Sequence, residues 1–350
     1  MFLKGVNMLT INMLTRADSV KGQGVLSATE EQINLVTEGL KDYQVVVNQL
    51  KTYNITHIHT INPDFLIKSV ITRQNRPMIA SVHFLPETLE KSISLPRPIK
   101  ELFYKYVLQF YKQADYLVTV NPRFIEDLEH YGIPKERITY IPNFVSRDTF
   151  YKITDRSKAT LRESFGLDPN KFTVVSAGQL QMRKGVLEFI DLAKKMPDIQ
   201  FVWAGDFAFK GISEGRKEIM EHMDELPSNV HFLGLVERER MNEFFNMGDV
   251  MLQLSFEELF PMTILESMNA NIPLLLRDLR EYRPILFDYY LKGNSQVQFQ
   301  EILRQLQQDE AFYQDACEKS KKGEQFYSKE NVLQQWQAFY DKVAVENHLK

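Results

Sequence analysis

The sequence predicts an α/β fold of two domains, each built on a mainly parallel sheet flanked by helices. Three observations predict it. Short apolar runs rich in β-branched and aromatic residues alternate with longer amphipathic stretches through most of the 350 residues, the pattern of βαβ units. The alternation runs as two successive series, with no low-complexity tract or internal repeat between them. Pro142 and Asn143 then interrupt the pattern where the first series ends. Chain length alone also favours two domains over one.

In order along the chain, residues 9–14 read as the first strand. They lead into a loop holding Gly22 and Gly24, then a helix over 27–40. Further strands are expected at 43–47, 55–59, 78–82, 116–120 and 138–141, all rich in β-branched or aromatic residues. The second series runs strand 172–177, helix 186–195, strand 199–204, strand 230–234, strand 250–254, helix 262–269 and strand 273–276. The expected domains are therefore 1–145 and 146–327, both Rossmann-like. Trp336, Phe339 and Tyr340 recur at helical spacing. They mark a closing helix over about 328–350, expected to pack back on the first domain. The first strand pattern begins near Met8, which makes that methionine an alternative start.

Composition narrows the class. Hydrophobic residues make up 44% and charged residues 25%, as in ordinary soluble globular proteins. A formal net charge of -4 argues against a nucleic-acid binder driven by bulk charge. The charge is uneven, near neutral in the first 150 residues and acidic after them. One cysteine, Cys317, excludes an intramolecular disulfide and points to a reducing compartment. The seven histidines show no zinc-type spacing, so no metal is expected. No stretch approaches the roughly 18–20 apolar residues that span a bilayer, and the N-terminus lacks a signal-peptide layout.

Two segments of the second series carry chemistry. In Glu258-Leu259-Phe260-Pro261-Met262-Thr263-Ile264-Leu265-Glu266, Glu258 falls in the loop after strand 250–254 and Glu266 one turn inside the next helix. Both carboxylates are thereby expected near the C-terminal edge of a parallel sheet, where open α/β sheets bind ligands. The helix start near Met262 offers unpaired N–H groups suited to a diphosphate, and a carboxylate deeper in the helix suits sugar hydroxyls. By spacing alone, the two acids are equally well a solvated surface pair. The run Gly178-Gln179-Leu180-Gln181-Met182-Arg183-Lys184-Gly185 opens the second series at a strand-to-helix turn. Its glycines allow close backbone approach and Lys184 sets a cation beside phosphate oxygens. The Lys-Ser/Thr pair of a nucleotide-hydrolysing P-loop is missing, which disfavours ATPase activity.

In this order the segments resemble the retaining GT-B glycosyltransferases of family 4, over nearly the whole chain. Matching pieces include Ala114-Asp115-Tyr116-Leu117-Val118, Gly132-Ile133-Pro134, Ile141-Pro142-Asn143, the Gly178 to Gly185 run, Trp203-Ala204-Gly205-Asp206, Phe232-Leu233-Gly234 and the two-glutamate motif followed by Pro273. The finer likeness, in Val20-Lys21-Gly22-Gln23-Gly24-Val25 and Leu259-Phe260-Pro261-Met262-Thr263, is to bacterial synthases of diglycosyl-diacylglycerols. The resemblance implies two Rossmann-like domains facing each other across a cleft. It implies transfer of glucose or galactose, with retained configuration, from UDP-glucose or UDP-galactose to a glucosyl-diacylglycerol in glycolipid and lipoteichoic acid anchor synthesis. No cofactor is implied. Acceptors that are soluble or protein, or a catalytically silent partner protein, are the rival readings.

The resemblance also implies roles. Glu266 takes the ribose hydroxyls and Lys184 the donor diphosphate, while Glu258 binds the donor sugar. Phe260, Pro261 and Met262 supply backbone around sugar and phosphate, Gly178 and Gln179 belong to the phosphate loop, and Leu235 sits at the uracil edge. His83, ending strand 78–82, points toward the donor sugar, and Gly22 and Gly24 form a first-domain loop facing the diphosphate. The chain departs from the family pattern at two places. Gln179 stands where an arginine is usual, so Arg183 is expected to replace that cation. Leu259 stands where a glycine is usual, which alters the sugar pocket.

Residues 91–112 hold five basic residues and one acid, with Leu102, Phe103, Tyr106, Val107 and Phe110 at helical spacing. Such a mix suits either a helix lying on an anionic membrane surface or a core-packed helix with a solvated polar face. Under the glycolipid resemblance, Arg97, Lys100, Lys105 and Phe103 are expected to meet membrane and acceptor. The protein is then expected to lie in the cytoplasm, peripheral on the inner face of the cell membrane.

Overall fold

The structure is a computed structural model; it describes all residues except 1–7, 17–23, 50, 73–74, 86–95 and 208–214. It divides into two compact units, one comprising residues 1–144 and 328–350, the other residues 145–327.

The first unit is a six-stranded parallel sheet in the order β2-β1-β3-β4-β5-β6, formed by Leu9–Leu14, Tyr43–Val47, Ile55–Ile58, Met78–Val82, Tyr116–Thr119 and Ile138–Tyr140. Strand β4 is buried at every position. Such unbroken burial is what helices on both faces of a parallel sheet require, and it explains why the strand reads as a continuous apolar run. Helices α1 (Gly24–Gly39), α2 (Pro63–Thr72), α3 (Arg97–Gln113) and α4 (Arg123–His130) connect the strands. The terminal helix, Lys329–Glu346, starts at a Ser328 cap whose side chain accepts from the Asn331 amide. It buries Val332, Trp336, Phe339, Tyr340 and Val343 in the same core as Ile11, Leu35, Val36 and Ile55. A Cβ on Gly39 would come within 2.5 Å of Leu333, so helix α1 and the terminal helix pack at close range.

The second unit repeats the architecture in the order β12-β11-β10-β7-β8-β9, again all parallel. Its strands are Thr173–Ala177, Gln200–Ala204, Val230–Phe232, Val250–Gln253, Leu274–Arg277 and Leu291–Gly293. Its core joins Val174, Phe189, Ile190, Phe201, Trp203, Val250 and Leu275, with Phe189 edge-on to Trp203 at 5.1 Å. Sequence order along this sheet reverses between β7 and β10, which lie side by side. A switch of that kind opens a crevice at the carboxyl ends of the two strands, because their loops run to opposite faces.

Three expectations need adjustment. Helix α1 begins at Gly24, not near residue 27, so Gly24 is the first residue of a helix and not part of a loop. Its partner Gly22 lies outside the described residues, as do residues 91–95 of the basic segment. The three-residue edge strand β12 was not anticipated. Among the described residues, no helix is long and apolar enough to cross a membrane.

Candidate active site

The two chemistry-bearing segments of the second unit leave neighbouring strands at the sheet's switch point. After β7, Gly178 takes φ +147° and Gly185 φ +74°, with a short 3-10 turn, Met182–Lys184, between them. Gly185 cannot be replaced freely: a Cβ there would lie 2.5 Å from the Leu254 carbonyl oxygen, and its backbone is in the left-handed region. That close approach locks the lysine turn onto the loop following β10. A second tie is the Phe256 amide donating to the Arg183 carbonyl at 2.8 Å. On the other side, the Trp203 indole N–H donates to the Gly178 carbonyl at 2.8 Å.

Lys184 and Glu258 meet in this crevice as an ion pair, Nζ donating to Oε1. Their side chains are only 14% and 8% exposed. Gln253 Nε2 donates to the same carboxylate at 2.9 Å, and Thr263 Oγ1 donates to Gln253 Oε1 at 3.3 Å. Arg183 Nη1 donates to the Glu257 carbonyl at 3.3 Å, while its buried Nε has no partner among the described residues. Burial pushes the Glu258 carboxyl up, but the Lys184 ammonium and the Arg183 guanidinium outweigh it and hold it below its ordinary value. Burial also dominates at Lys184, pulling the ammonium down against the attraction of Glu258.

Helix α9 (Met262–Asn269; α5–α8 being Lys158–Ser164, Val186–Lys195, Arg216–Met223 and Met241–Met247) starts after Pro261 with no side-chain cap. Its first amides are therefore available to an anion. Phe260 and Met262 are themselves buried, and the Phe260 ring packs at a tilt against Tyr327, centroids 5.0 Å apart. The apolar side chains anchor the loop. One turn into the helix, Glu266 is 3% exposed and accepts from Arg238. Burial raises its carboxyl above the ordinary value, with Arg238 opposing the shift. Arg238 also lies 4.6 Å over the Phe150 ring.

Arg238 was not anticipated. It sits in a run of four alternating charges, 237–240, and nothing in that run marks which cation turns toward the buried acid. Of the other expected residues, Leu235 is 70% exposed beyond β9. Gln179 accepts from Gln181 Nε2 at 2.8 Å. His83 belongs to the first unit, immediately after β4, where its Nε2 is buried without a partner among the described residues.

Helix α3 splits the apolar set read from the sequence. Val107, Phe110 and Tyr111 are buried, and Tyr106 donates to the Ile61 carbonyl at 2.6 Å. Leu102 and Ile99 are 69% and 53% exposed. Arg97, on the same exposed first turns, pairs with Glu101, and the Lys100 ammonium lies 5.9 Å over the Tyr104 ring. Phe103 is half-buried beside Tyr104 and Lys105 is exposed.

Comparison with known proteins matches this arrangement to glycosyltransferases. The model of the "Glycosyl transferases group 1" family matches residues 157–323, and that of "Glycosyltransferase Family 4" residues 34–149. The chain is 40% identical over 337 residues to the alpha-galactosylglucosyldiacylglycerol synthase of Streptococcus pneumoniae, covering 96% of this chain and 90% of that protein. It is 25% identical over 257 residues to the processive diacylglycerol alpha-glucosyltransferase of Acholeplasma laidlawii, covering 73% and 75%. Among solved structures, Anabaena Alr3699/HepE in complex with UDP-glucose superposes with a TM-score of 0.76 at 16% identity, over 95% of this chain and 100% of that one. That last likeness speaks to the fold.

Proposed function

The chain belongs to the family 4 glycosyltransferases, of the GT-B fold, and on that premise we propose that it transfers galactose from UDP-galactose to glucosyl-diacylglycerol with retention of configuration. The observation that carries this reading is the 40% identity, over 96% of the chain, to a protein named for an alpha-galactosylglucosyl lipid product. The crevice of the second unit supports it. Lys184 and the uncapped start of α9 suit the diphosphate, Glu266 the ribose hydroxyls and Glu258 the hydroxyls of the donor sugar. Phe260, Pro261 and Met262 lend backbone around them, and Gly178, Gln179 and Arg183 complete the phosphate side. Leu235 is assigned to the uracil and His83 to the donor sugar.

In the proposed reaction the bond between the sugar's anomeric carbon and the diphosphate oxygen breaks. The acceptor hydroxyl oxygen bonds to that carbon on the same face, and its proton passes to the departing phosphate oxygen. No protein nucleophile is needed. Lys184 and the helix amides stabilise the charge that grows on the diphosphate. Glu258 is kept ionised by its cations, so it accepts from sugar hydroxyls and favours positive charge developing on the ring.

The lipid acceptor requires the enzyme to reach a membrane. Exposed Ile99 and Leu102, together with Arg97, Lys100 and Lys105 on one helix, suit insertion into an anionic headgroup layer. We place the enzyme peripherally on the inner face of the cell membrane.

The test is incubation with labelled UDP-galactose or UDP-glucose and glucosyl-diacylglycerol in mixed micelles, with the lipid product read by chromatography and NMR. An α-linked galactosyl-glucosyl-diacylglycerol is expected. A β-linkage removes the retaining mechanism, and failure to label lipid from either donor removes the acceptor assignment.

A further inference from the structure

A buried hydrogen-bond chain in the first unit runs from the terminal helix to the edge of β4. Tyr340 Oη lies 2.8 Å from His57 Nδ1, His57 Nε2 lies 2.9 Å from Ser81 Oγ, and Ser81 Oγ lies 3.3 Å from His59 Nδ1. The strand register explains the assembly. His57 sits opposite Ile79 where β3 pairs with β4, so His59 comes level with Ser81. Side chains two apart share a face, which puts His57 and His59 on the same side as Ser81 and His83. The rings of His57 and His59 stack at 4.3 Å, and Trp336 and Tyr340 of the terminal helix pack against the His57 ring.

Burial disfavours charge on all three imidazoles, so each carries one N–H and one lone pair. With the Ser81 hydroxyl donating to one imidazole and accepting from the other, a chain of neutral groups runs in one of two directions. If the Tyr340 hydroxyl donates, His57 is protonated at Nε2, Ser81 donates onward, and His59 is left with an Nε2–H at the far end. In the reverse direction the Tyr340 proton must find another acceptor. The far end lies beside His83, with ring centroids 6.4 Å apart. Both His59 Nε2 and His83 Nε2 are buried without a partner among the described residues. Two hydrogen bonds of about 2.9 Å span up to about 5.8 Å, a separation compatible with rings at that distance. A site with polar groups on two sides is where a buried water belongs. Ser81 and His83 also line a small cavity with Gln32, whose side chain reaches the Tyr340 hydroxyl.

We infer that Tyr340, His57, Ser81 and His59 are positioning residues for His83: the chain ends in a His59 Nε2–H that binds a water, and the water donates to His83 Nε2. His83 is thereby held as the Nδ1–H tautomer, presenting a donor rather than a lone pair from its other nitrogen. The consequence for catalysis rests on the reading above that His83 meets the donor sugar; the tautomer assignment does not. Packing of the terminal helix and the chemistry of His83 become linked through one phenol.

Long-range proton–nitrogen NMR of the imidazoles in the uniformly labelled full chain reads the tautomers directly. The expected result is His57 and His59 protonated at Nε2 and His83 at Nδ1. Ser81→Ala should release His83 to a tautomer mixture and lower kcat on the order of ten-fold, with the donor KM little changed; Ser81→Thr, which restores the hydroxyl, should recover both. Should the alanine variant fold poorly, Tyr340→Phe breaks the chain at its other end with the same expected readout. His57 protonated at Nδ1, or a His83 tautomer indifferent to both variants, overturns the inference. If His83→Ala leaves kcat unchanged, the placement of His83 at the sugar fails instead, whatever the tautomers show.

Discussion

Lys184 and Glu258, 74 positions apart in the chain, share one buried ion pair at the point where the second sheet changes direction. Removing one partner of a buried pair strands the other charge, which costs about 3–5 kcal/mol, whereas removing both costs much less. Glu258→Gln and Lys184→Met should therefore each lower the urea midpoint, and the double variant should be more stable than the sum of the two predicts. All three should lose turnover on the order of a hundred-fold or more. Additive stabilities, or near-normal kcat in either single variant, contradict the paired site.

Glu266 responds oppositely to its surroundings. Burial raises its carboxyl and Arg238 holds the rise back. In Arg238→Met the carboxyl should take up its proton at higher pH still. Donor KM, if Glu266 must accept from the ribose, should then begin to climb on the acid side at a higher pH in the variant than in the parent enzyme. Glu266→Ala should raise KM more than it lowers kcat. Superimposable KM–pH curves for the Arg238 variant and the parent would separate Arg238 from donor binding.

The first unit should carry its own acid sensitivity. Burial pulls His57 down to about 3 and His83 down to about 4, from an ordinary 6.5. Between those values the unfolded chain binds protons that the folded protein refuses, so stability falls as pH drops from 6.5 toward 3. The loss is absent above pH 6.5. Denaturant titrations across pH 4–7 should show this slope, and His83→Asn should flatten it by removing one titrating group. A parent protein equally stable at pH 4.5 and 7 contradicts the burial.

Membrane binding separates into charge and insertion. Each Lys or Arg near an anionic surface contributes about 1 kcal/mol, so Arg97→Ser/Lys100→Ser/Lys105→Ser should weaken binding to anionic vesicles by about a hundred-fold at most. Leu102→Ser with Ile99→Ser should weaken binding to anionic and neutral vesicles alike. Sedimentation with vesicles of each composition checks both, and unchanged binding in all variants removes helix α3 from the membrane.

Much of this was legible in the sequence because burial on both faces leaves continuous apolar runs. Strands Leu9–Leu14 and Met78–Val82, almost wholly buried, come near such runs, and their bounds could be read directly; Tyr43–Val47, a half-exposed strand at the sheet edge, was legible from its aromatic and β-branched residues. Strand β12, only three residues with an exposed lysine at its centre, leaves no such trace. The glutamates and lysine stood out because their segments leave strands at the same sheet edge. Arg238 could not, since its partner is fixed by tertiary packing and not by spacing. The apolar set on α3 shows the limit of periodicity: Leu102 lies about 140° round the helix from Val107, at 100° per residue, and the structure exposes one and buries the other. Likewise His57 and Ser81 are polar residues inside apolar strands, and only the register of β3 on β4 reveals that they meet.

Lys184, the first amides of α9 and Glu266 should converge on one nucleotide, and a crystal structure with UDP bound tests that convergence most directly. The diphosphate is predicted within hydrogen-bonding distance of Lys184 Nζ and the first amides of α9, with the ribose hydroxyls on Glu266. UDP seated away from those three groups would contradict it.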